Sequence, residues 1–388
     1  MKHILRAAAA WLTAALLLGG CAGAADAGDA VELFAVNVGK GDALLVRAGD
    51  YACLIDAGKP WAMGRVRCAM ERLGVDALDA VFLTHPDDDH AGGLAWLAES
   101  DIPVGAWYAS GAFIEVKPKK HPIAKAAAAR DQEPVWLMRG DRIPLGDSGA
   151  AFTVLAPFET FPDKDDNNSL VMLLESPQGR MLFAGDMELP LEAALLQKGD
   201  DLSCAVLKVP NHADDDTVSA AFARACAARL AVISTSTEEK PETPDPGVVA
   251  RLEAAGTRCA VTQEAEIGLL VALRDGEPSL ERVDAPEGAV LEGVSVASVE
   301  AGVITLANDG ADVDLTGCSL YSARSDALFP FPDGTVLPSG GALSVGTPSA
   351  DGDFDLLWDA KKVLNKSKAD EIALYDRCGR QVDARETP

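Results

Sequence analysis

The residues best suited to chemistry in this chain lie between Thr84 and Gly93. Two histidines and three aspartates fall within the six positions from His85 to His90, directly after an apolar run. Carboxylates crowded into one loop repel each other unless a cation neutralises them, and imidazole is a common metal ligand. The alternative, a solvated acidic turn, gives the two histidines no purpose. The spacing therefore predicts a divalent-metal site.

The segments around this run alternate between strand and helix patterns. β-rich runs predict strands over residues 31–38, 43–48, 51–55 and 80–83, and an amphipathic pattern predicts a helix over 62–73. Further strands are expected over 104–108, 151–155, 169–176, 180–184, 205–209 and 230–234, and helices over 190–196, 218–228 and 246–255. The pattern indicates an α/β fold with antiparallel pairing, in which polar side chains at strand ends form the site.

The composition changes after about Pro278. From Val294 onward, short alternating strands separated by turns such as Asn308-Asp309-Gly310 predict a small β-sandwich. We place the boundary between residues 284 and 293. The chain has 388 residues, which is enough for about two domains.

The N-terminus has the pattern of an export signal. Residues 1–20 begin with two basic side chains and continue through an apolar stretch that is shorter than the ~20 residues of a membrane-spanning helix. The sequence Leu18-Gly19-Gly20-Cys21 resembles a bacterial lipobox, which implies lipidation of Cys21 and an exported, membrane-anchored protein. Residues 21–30 are then expected to be a flexible tether.

The net charge of −26 argues against broad electrostatic capture of duplex nucleic acid. Residues 117–121 form a basic cluster, which either admits a polyanionic substrate locally or, as we favour, is a solvated loop. The eight cysteines fit an exported protein, in which disulfides persist. The candidate pairings are Cys318 with Cys378, Cys53 with Cys68, and Cys226 with Cys259.

Six short motifs occur in order between residues 31 and 275. They are Val38-Gly39-Lys40-Gly41-Asp42-Ala43, Ile55-Asp56-Ala57-Gly58, the run from Thr84 to Gly93, Asn167-Asn168-Ser169-Leu170-Val171, Phe183-Ala184-Gly185-Asp186 and Leu207-Lys208-Val209-Pro210-Asn211-His212. Together they resemble the metallo-β-lactamase-fold hydrolases, and among them the ComEC-like branch related to DNA-uptake competence proteins. The resemblance implies an αββα sandwich over residues 31–283.

The C-terminal region, residues 290–388, is similar to lamin-tail domains, which are all-β, immunoglobulin-like sandwiches. The likeness rests on the segments 304–308, 314–318, 331–337 and 370–376. It implies a second domain whose own ligand is unknown.

The resemblance to the metallo-β-lactamase fold implies one or two divalent ions, zinc or manganese. The implied ligands are His85 and Asp87 on one metal, Asp89, His90 and His212 on the other, and Asp186 as the bridge. Asn168 falls where the family commonly has a further histidine, and is a possible ligand or substrate contact. Such an oxygen-rich first site favours a harder ion such as manganese.

Three residues are candidates for catalysis. Asp89 is expected to be a ligand that also accepts a proton from the attacking water, and Asn211 to orient a phosphoryl oxygen. Lys208 either neutralises a substrate oxygen or caps its strand. Asp42 and Asp56 are expected to brace the ligand loop by hydrogen bonds.

The function that these features indicate is an exported, lipid-anchored phosphodiesterase, with extracellular DNA as a possible substrate. An alternative is an esterase of cell-wall phosphodiesters, such as phosphocholine-type esters. A third is a surface-binding protein with weakened catalysis, since Asn211 replaces a histidine that is usual in the ComEC-like branch.

Overall fold

The computed structural model describes residues 30–114, 120–161, 166–286, 291–360, 362–364 and 369–387. The predicted signal, tether and lipidated Cys21 lie outside the described residues, except for Ala30. Most of the basic cluster at 117–121 also lies outside them. Among the helices in the described ranges, none is long and apolar enough to cross a bilayer.

The first large sheet has eight strands. They are β1 (Val31–Val36), β2 (Leu44–Ala48), β3 (Tyr51–Ile55), β4 (Leu78–Leu83), β5 (Val104–Ser110), β6 (Val135–Leu137), β14 (Gly268–Arg274) and β15 (Glu277–Val283). Their order across the sheet is β15-β14-β1-β2-β3-β4-β5-β6. Pairing is antiparallel from β15 to β3 and parallel from β3 to β6.

The second large sheet has seven strands. They are β7 (Arg142–Pro144), β8 (Ala151–Ala156), β9 (Val171–Ser176), β10 (Gly179–Phe183), β11 (Val206–Lys208), β12 (Leu230–Ile233) and β13 (Arg258–Val261). Their order is β13-β12-β11-β10-β9-β8-β7, and β10 to β13 are parallel. Parallel strands place their carboxyl ends at one edge, which is where ligand-binding loops begin.

The described residues include seven α-helices, most of which cover the outer faces of the two sheets. They are α1 (Met63–Leu73), α2 (Asp88–Ala91), α3 (Leu94–Glu99), α4 (Pro122–Ala128), α5 (Leu189–Lys198), α6 (Ala220–Cys226) and α7 (Pro246–Ala254). Helices α1, α3 and α4 pack on the first sheet, and α5 to α7 pack on the second. Side chains of both sheets, including Phe82 and Phe152, form the core between them. The predicted αββα sandwich is therefore confirmed.

Helix termini follow local sequence signals. Helix α7 begins after Asp245, whose carboxylate accepts the Val248 N–H at 2.9 Å, and Pro246 occupies the first helical position. Helix α1 ends at Leu73 and is followed by Gly74, whose φ of 64° is readily adopted by glycine.

The C-terminal region consists of smaller sheets. Its strands are β16 (Val294–Glu300), β17 (Val303–Asn308), β18 (Val313–Asp314), β19 (Ser319–Ser322), β20 (Ala327–Pro330), β21 (Val336–Leu337), β22 (Ala342–Gly346), β23 (Leu356–Leu357), β24 (Glu371–Tyr375) and β25 (Gln381–Glu386). Two four-stranded sheets, β16-β17-β22-β23 and β20-β19-β24-β25, enclose a separate apolar core that includes Ile304 and Leu374. This arrangement is consistent with the expected β-sandwich.

A disulfide joins the two parts of the molecule. It links Cys68 on α1 to Cys378, with the two Cα atoms 5.7 Å apart. The three candidate pairings from the sequence are wrong. Cys68 and Cys378 pair with each other, Cys318 lies in the core of its own sandwich, and Cys53, Cys226 and Cys259 are free. The free cysteines among the described residues are Cys53, Cys204, Cys226, Cys259 and Cys318.

Candidate metal centre

The loop after β4 turns its histidines inward. Asp87 is extended, and α2 begins at the next residue and carries Asp89 and His90 toward the junction of the two sheets. A Cβ atom on Gly93 would lie 2.3 Å from the Ala57 carbonyl oxygen, so only glycine fits there. The small residue at position 93 therefore leaves room for the backbone of the loop.

A first group of ligand atoms surrounds His90 Nε2. Asp186 Oδ2, from the loop after β10, lies 3.1 Å from His90 Nε2 and 3.1 Å from His212 Nε2. The two Nε2 atoms are 3.3 Å apart, and Asp89 Oδ2 lies 3.6 Å from that of His212. Three separate segments of the chain therefore bring their ligand atoms to one point.

A second group of ligand atoms surrounds His85 Nε2. This atom lies 3.9 Å from Asp186 Oδ2, 4.0 Å from Asp87 Oδ2 and 3.8 Å from Asp166 Oδ1. Asp186 thus belongs to both groups, in the position expected of a bridging carboxylate. The geometry forms two adjacent donor sets with one shared member.

These donor sets fit divalent cations. Within the described part of the chain, His85 Nε2 and Asp186 Oδ1 are buried and have no hydrogen-bond partner. Such atoms are costly unless a ligand or ion satisfies them. The set around His85 has one imidazole and three carboxylates, which suits a hard ion, and the set around His90 has two imidazoles and two carboxylates.

Neighbouring groups hold the two facing imidazoles in place. Asp56 accepts hydrogen bonds from the Thr84 backbone N–H and hydroxyl, both at 2.7 Å, and contacts His90 Nδ1 at 2.8 Å. Its φ of 58° is strained for a residue other than glycine. His212 Nδ1 lies 2.7 Å from the Ser234 carbonyl oxygen. Each imidazole therefore presents Nε2 to the centre, and the bracing role expected of Asp56 is confirmed.

The charges within this centre depend strongly on one another. Burial acts to lower the pKa of His90, but Asp186 and Asp56 outweigh it and raise that pKa well above its usual value. Burial acts to raise the pKa of Asp89, but His90, His212 and Lys40 lower it to about 2. Asp89 is thus a weak base, which favours a role as ligand over that of proton acceptor.

Comparison with known families accounts for this arrangement. A model described as the metallo-beta-lactamase superfamily matches residues 36–237, which include both donor sets. The chain belongs to the metallo-beta-lactamase superfamily. Members of this superfamily are generally metal-dependent hydrolases, and this chain carries a candidate metal centre at the place where its two sheets meet.

Two longer bacterial proteins are similar to this chain. ComE operon protein 3 of Bacillus subtilis is 25% identical over 257 residues, covering 60% of this chain and 32% of that protein. Competence protein ComA of Neisseria gonorrhoeae is 28% identical over 224 residues, covering 57% and 29%. The chain therefore spans about a third of the length of these relatives.

Solved structures of the superfamily are also similar to it. The metallo-beta-lactamase fold protein YhfI from Bacillus subtilis is 14% identical, covers 63% of this chain and 99% of its own, and has a TM-score of 0.41. The class B3 di-zinc metallo-beta-lactamase LRA-12 from an Alaskan soil metagenome is 16% identical, covers 47% and 75%, and has a TM-score of 0.33.

Asp166 is a candidate ligand that the sequence analysis missed. The sequence directed attention to Asn168, but the Asn168 side chain instead contacts the Phe161 backbone, with its Oδ1 accepting and its Nδ2 donating at 2.8 Å. Asp166 lies two residues earlier on the same 3₁₀ turn and faces His85. The sequence feature that could have indicated this ligand is the pair of aspartates directly before Asn167.

The environment of Asp166 indicates a position that needs a cation. Burial, together with Asp186, Asp87 and Glu188, raises its pKa to about 7. An ionised carboxylate is therefore unfavourable in the metal-free protein, and a bound cation would relieve that repulsion.

We expect Asp166→Asn to stabilise the metal-free protein in a pH-dependent way. The pKa of Asp166 is about 7 in the folded protein and 3.8 as its ordinary value, so its contribution to stability is greatest below pH 4 and is lost as the pH rises through 7. Above pH 7 the variant should melt a few degrees higher than wild type, and below pH 4 the two should melt together. Thermal denaturation in chelator from about pH 3 to pH 8 measures this. Parallel pH profiles for the two proteins would contradict it.

The contacts of Lys208 favour a structural role at the end of its strand over contact with a substrate oxygen. Its side chain is buried, lies 2.6 Å from Asp42 Oδ2 and donates to the Val209 carbonyl oxygen at 2.8 Å. A buried ammonium paired in this way has no route to a substrate oxygen, so its predicted substrate contact is not supported. The carboxylate of Asp42 pairs with Lys208 instead of bracing the ligand loop, whereas the Asp42 backbone N–H donates to the Asp89 carbonyl oxygen at 3.1 Å.

Asn211 precedes His212 at the carboxyl end of β11. It has a left-handed backbone with φ of 40°, and its N–H donates to the Gly185 carbonyl oxygen at 3.2 Å. This contact ties the loop that carries His212 to the loop that carries Asp186. The role of the Asn211 side chain toward substrate remains a prediction.

Two further residues differ from expectation. His121 is buried between Phe113 and Trp136, with ring centroids 5.4 and 5.1 Å away, and burial lowers its pKa to about 4. The solvated-loop interpretation is therefore wrong for His121.

Lys40 is a residue of the centre that the sequence analysis did not single out. Its Nζ lies 2.7 Å from Asp89 Oδ2 at the edge of the centre.

Proposed function

We propose that this protein is a metal-dependent phosphodiesterase. The observation that carries the proposal is the pair of donor sets that share Asp186, which matches the arrangement of two-metal hydrolases. When bound in such a site, divalent ions polarise a phosphoryl oxygen and make a water molecule more acidic. The carboxylate-rich set around His85 supports manganese there, with zinc as the alternative.

The side chains of this chain would supply binding and orientation. The donors for the metals are His85, Asp87, Asp166, Asp89, His90, His212 and Asp186. Lys40 holds Asp89 in place and presents a positive charge at the edge of the site. Asn211 is proposed to orient a phosphoryl oxygen.

Replacing Lys40 with methionine is expected to lower kcat/KM roughly 10-fold to 100-fold, because the variant loses both the partner of Asp89 and a nearby positive charge. Lys40→Arg keeps the charge and should recover part of the loss. Steady-state kinetics with bis(p-nitrophenyl) phosphate in saturating manganese measure both. Unchanged kinetics in Lys40→Met would exclude this role.

DNA is the first substrate to test. One similar protein is named as a competence protein, which supports a nucleic-acid substrate, whereas the net charge of −26 disfavours wide contact with a polyanion. The purified chain would be incubated with manganese or zinc and with single-stranded DNA, double-stranded DNA or bis(p-nitrophenyl) phosphate. Cleavage of the small ester alone would reject the nuclease and keep the phosphodiesterase. Cleavage of none would reject both.

The acidic composition favours a second candidate substrate class, namely small cell-wall phosphodiesters with a phosphocholine-type group. The same assay with such an ester separates it from DNA. A surface-binding protein with weakened catalysis is the remaining alternative, and it predicts less than one metal ion per chain after loading.

We also propose that the protein is exported and held at a membrane by a lipid on Cys21. The signal-like residues 1–20 and the lipobox-like sequence before Cys21 support this proposal. Mass spectrometry of the mature N-terminus tests it, and a free Met1 on the mature protein would contradict it. The lamin-tail assignment and its ligand likewise remain proposals.

A further inference from the structure

A cleft of about 980 Å³ lies between the hydrolase domain and the C-terminal domain. Trp61, Glu238 and Glu239 line it from the first domain, and Tyr321 and Tyr375 line it from the second. Neither domain forms this cleft alone. A ligand held there would contact both domains at once.

The cleft adjoins the metal centre. Its lining includes Gly39 and Asp88, each of which is next in sequence to a residue of the Lys40–Asp89 ion pair. Glu239, inside the cleft, accepts the backbone N–H of Lys40 at 3.2 Å. A substrate whose reacting group lies at the metal centre would therefore extend its remaining part into the cleft.

The two walls are held firmly together. The Cys68–Cys378 disulfide fixes the C-terminal domain to α1. Arg65 donates to the carbonyl oxygens of Gly379 and Asn37, at 3.1 and 2.7 Å, and so joins both domains. The rings of Trp61 and Tyr375 stack with centroids 5.7 Å apart. The cleft is thus a preformed feature that costs little ordering when a ligand binds.

The charges of the lining select against anionic groups. Among the described residues that line the cleft, the basic ones are Lys59 and Arg65, and both are already engaged. Lys59 pairs with Glu239, and Arg65 donates to two carbonyl oxygens. The exposed carboxylates of Asp88 and Glu238 add negative charge. A second phosphate entering this space would meet repulsion without a cation to offset it.

The aromatic side chains of the cleft provide favourable contacts for a ligand. Trp61 and Tyr321 are half-buried, so each keeps part of its ring surface available to a ligand. Flat, uncharged groups gain free energy by contact with such rings. Aromatic contact combined with negative charge favours an uncharged organic group over a polyphosphate chain.

We propose that this interdomain cleft binds the uncharged ester group of a phosphodiester substrate, and that the C-terminal domain thereby sets specificity for small monoanionic phosphodiesters over polyanions. The inference rests on the proposed phosphodiesterase activity and refines its substrate class. Tyr321 is the specificity-determining aromatic residue, and Glu238 is the excluding carboxylate.

Two nucleotide esters test the exclusion of charge. Thymidine 5′-(p-nitrophenyl phosphate) and its 3′-phosphorylated derivative share a leaving group and differ by one phosphate. The full chain should hydrolyse the first with a kcat/KM roughly tenfold higher. Glu238→Lys should reduce the ratio of the two kcat/KM values about fivefold. Asp50→Lys, at an exposed turn outside the cleft, should leave that ratio unchanged. Equal kcat/KM values for the two esters in wild type would overturn the proposal.

A second comparison tests the aromatic contact. Tyr321→Ala should lower kcat/KM for thymidine 5′-(p-nitrophenyl phosphate) about fivefold, mainly through KM. It should leave methyl p-nitrophenyl phosphate, which has almost nothing to place in the cleft, within about twofold of wild type. Equal losses on both esters would indicate a general structural defect and would overturn the role of Tyr321.

A binding measurement separates this inference from the proposed function. Calorimetric titration of diphenyl phosphate into an Asp186→Asn background should give a Kd that Tyr321→Ala weakens about fivefold. If wild type hydrolyses no phosphodiester but this difference is present, the proposed function fails and the cleft assignment stands. If hydrolysis occurs and Tyr321→Ala changes neither binding nor kinetics, the cleft assignment fails and the phosphodiesterase stands.

Discussion

Replacing Asp186 with asparagine is expected to reduce kcat/KM for bis(p-nitrophenyl) phosphate on the order of a thousandfold, or about 4 kcal/mol of transition-state stabilisation. Asp186 Oδ2 lies within 3.1 Å of two imidazole nitrogens and 3.9 Å of a third, so it is the donor common to both sets. An amide keeps the shape of the carboxylate but removes its charge, and a bridging position needs that charge.

The Asp186→Asn variant is also expected to bind fewer metal ions than wild type. Wild type should retain up to two ions per chain after dialysis, whereas Asp186→Asn should retain one or none. Asp245→Asn is a matched control, because asparagine caps a helix as well as aspartate does and Asp245 caps α7. Full activity and unchanged metal content in Asp186→Asn would contradict the bridging role.

Replacing Asp166 with alanine is expected to remove the ion held near His85 and to lower kcat/KM about 100-fold. This side chain lies 3.8 Å from His85 Nε2 and is one of the three carboxylates around that nitrogen. Loss of one donor weakens the site that is richer in oxygen, so the requirement for manganese should rise from micromolar toward millimolar concentrations. Activity measured against manganese concentration gives both kcat/KM and the manganese concentration that the enzyme requires.

Asn168→Ser is the comparison for that experiment. The amide of Asn168 holds the Phe161 backbone, so its replacement should lower the melting temperature more than it changes the manganese requirement. If Asn168→Ser raises the manganese requirement and Asp166→Ala does not, the assignment of the ligand to Asp166 is wrong.

Most of the metal centre could be predicted because the run from His85 to His90 is rich in donors, and because the resemblance to the metallo-β-lactamase-fold hydrolases implies Asp186 and His212 as further ligands. His85, Asp186 and His212 each follow an apolar run by a few residues, and the strands that carry them meet at one junction. The alternating strand and helix patterns predict an α/β fold, and the resemblance to the metallo-β-lactamase-fold hydrolases implies its αββα layers. Helix α7, expected over 246–255, ends one residue earlier.

Features that depend on contact between distant segments could not be predicted in this way. Cys378 pairs with Cys68 across 310 residues, and no local pattern specifies which surface of one domain meets the other. The choice between Asp166 and Asn168 depends on how a 3₁₀ turn orients two polar side chains two positions apart. Burial of Lys208 and His121 likewise depends on neighbours from other elements, namely Asp42 and Trp136.

The most direct test of the central claim is the anomalous scattering of crystals grown with manganese. We expect two peaks about 3.5–4 Å apart on either side of the Asp186 carboxylate, one near His85 and one near His90 and His212. No peak within bonding distance of Asp186 under saturating manganese or zinc would contradict the metal centre, and with it the proposed hydrolysis.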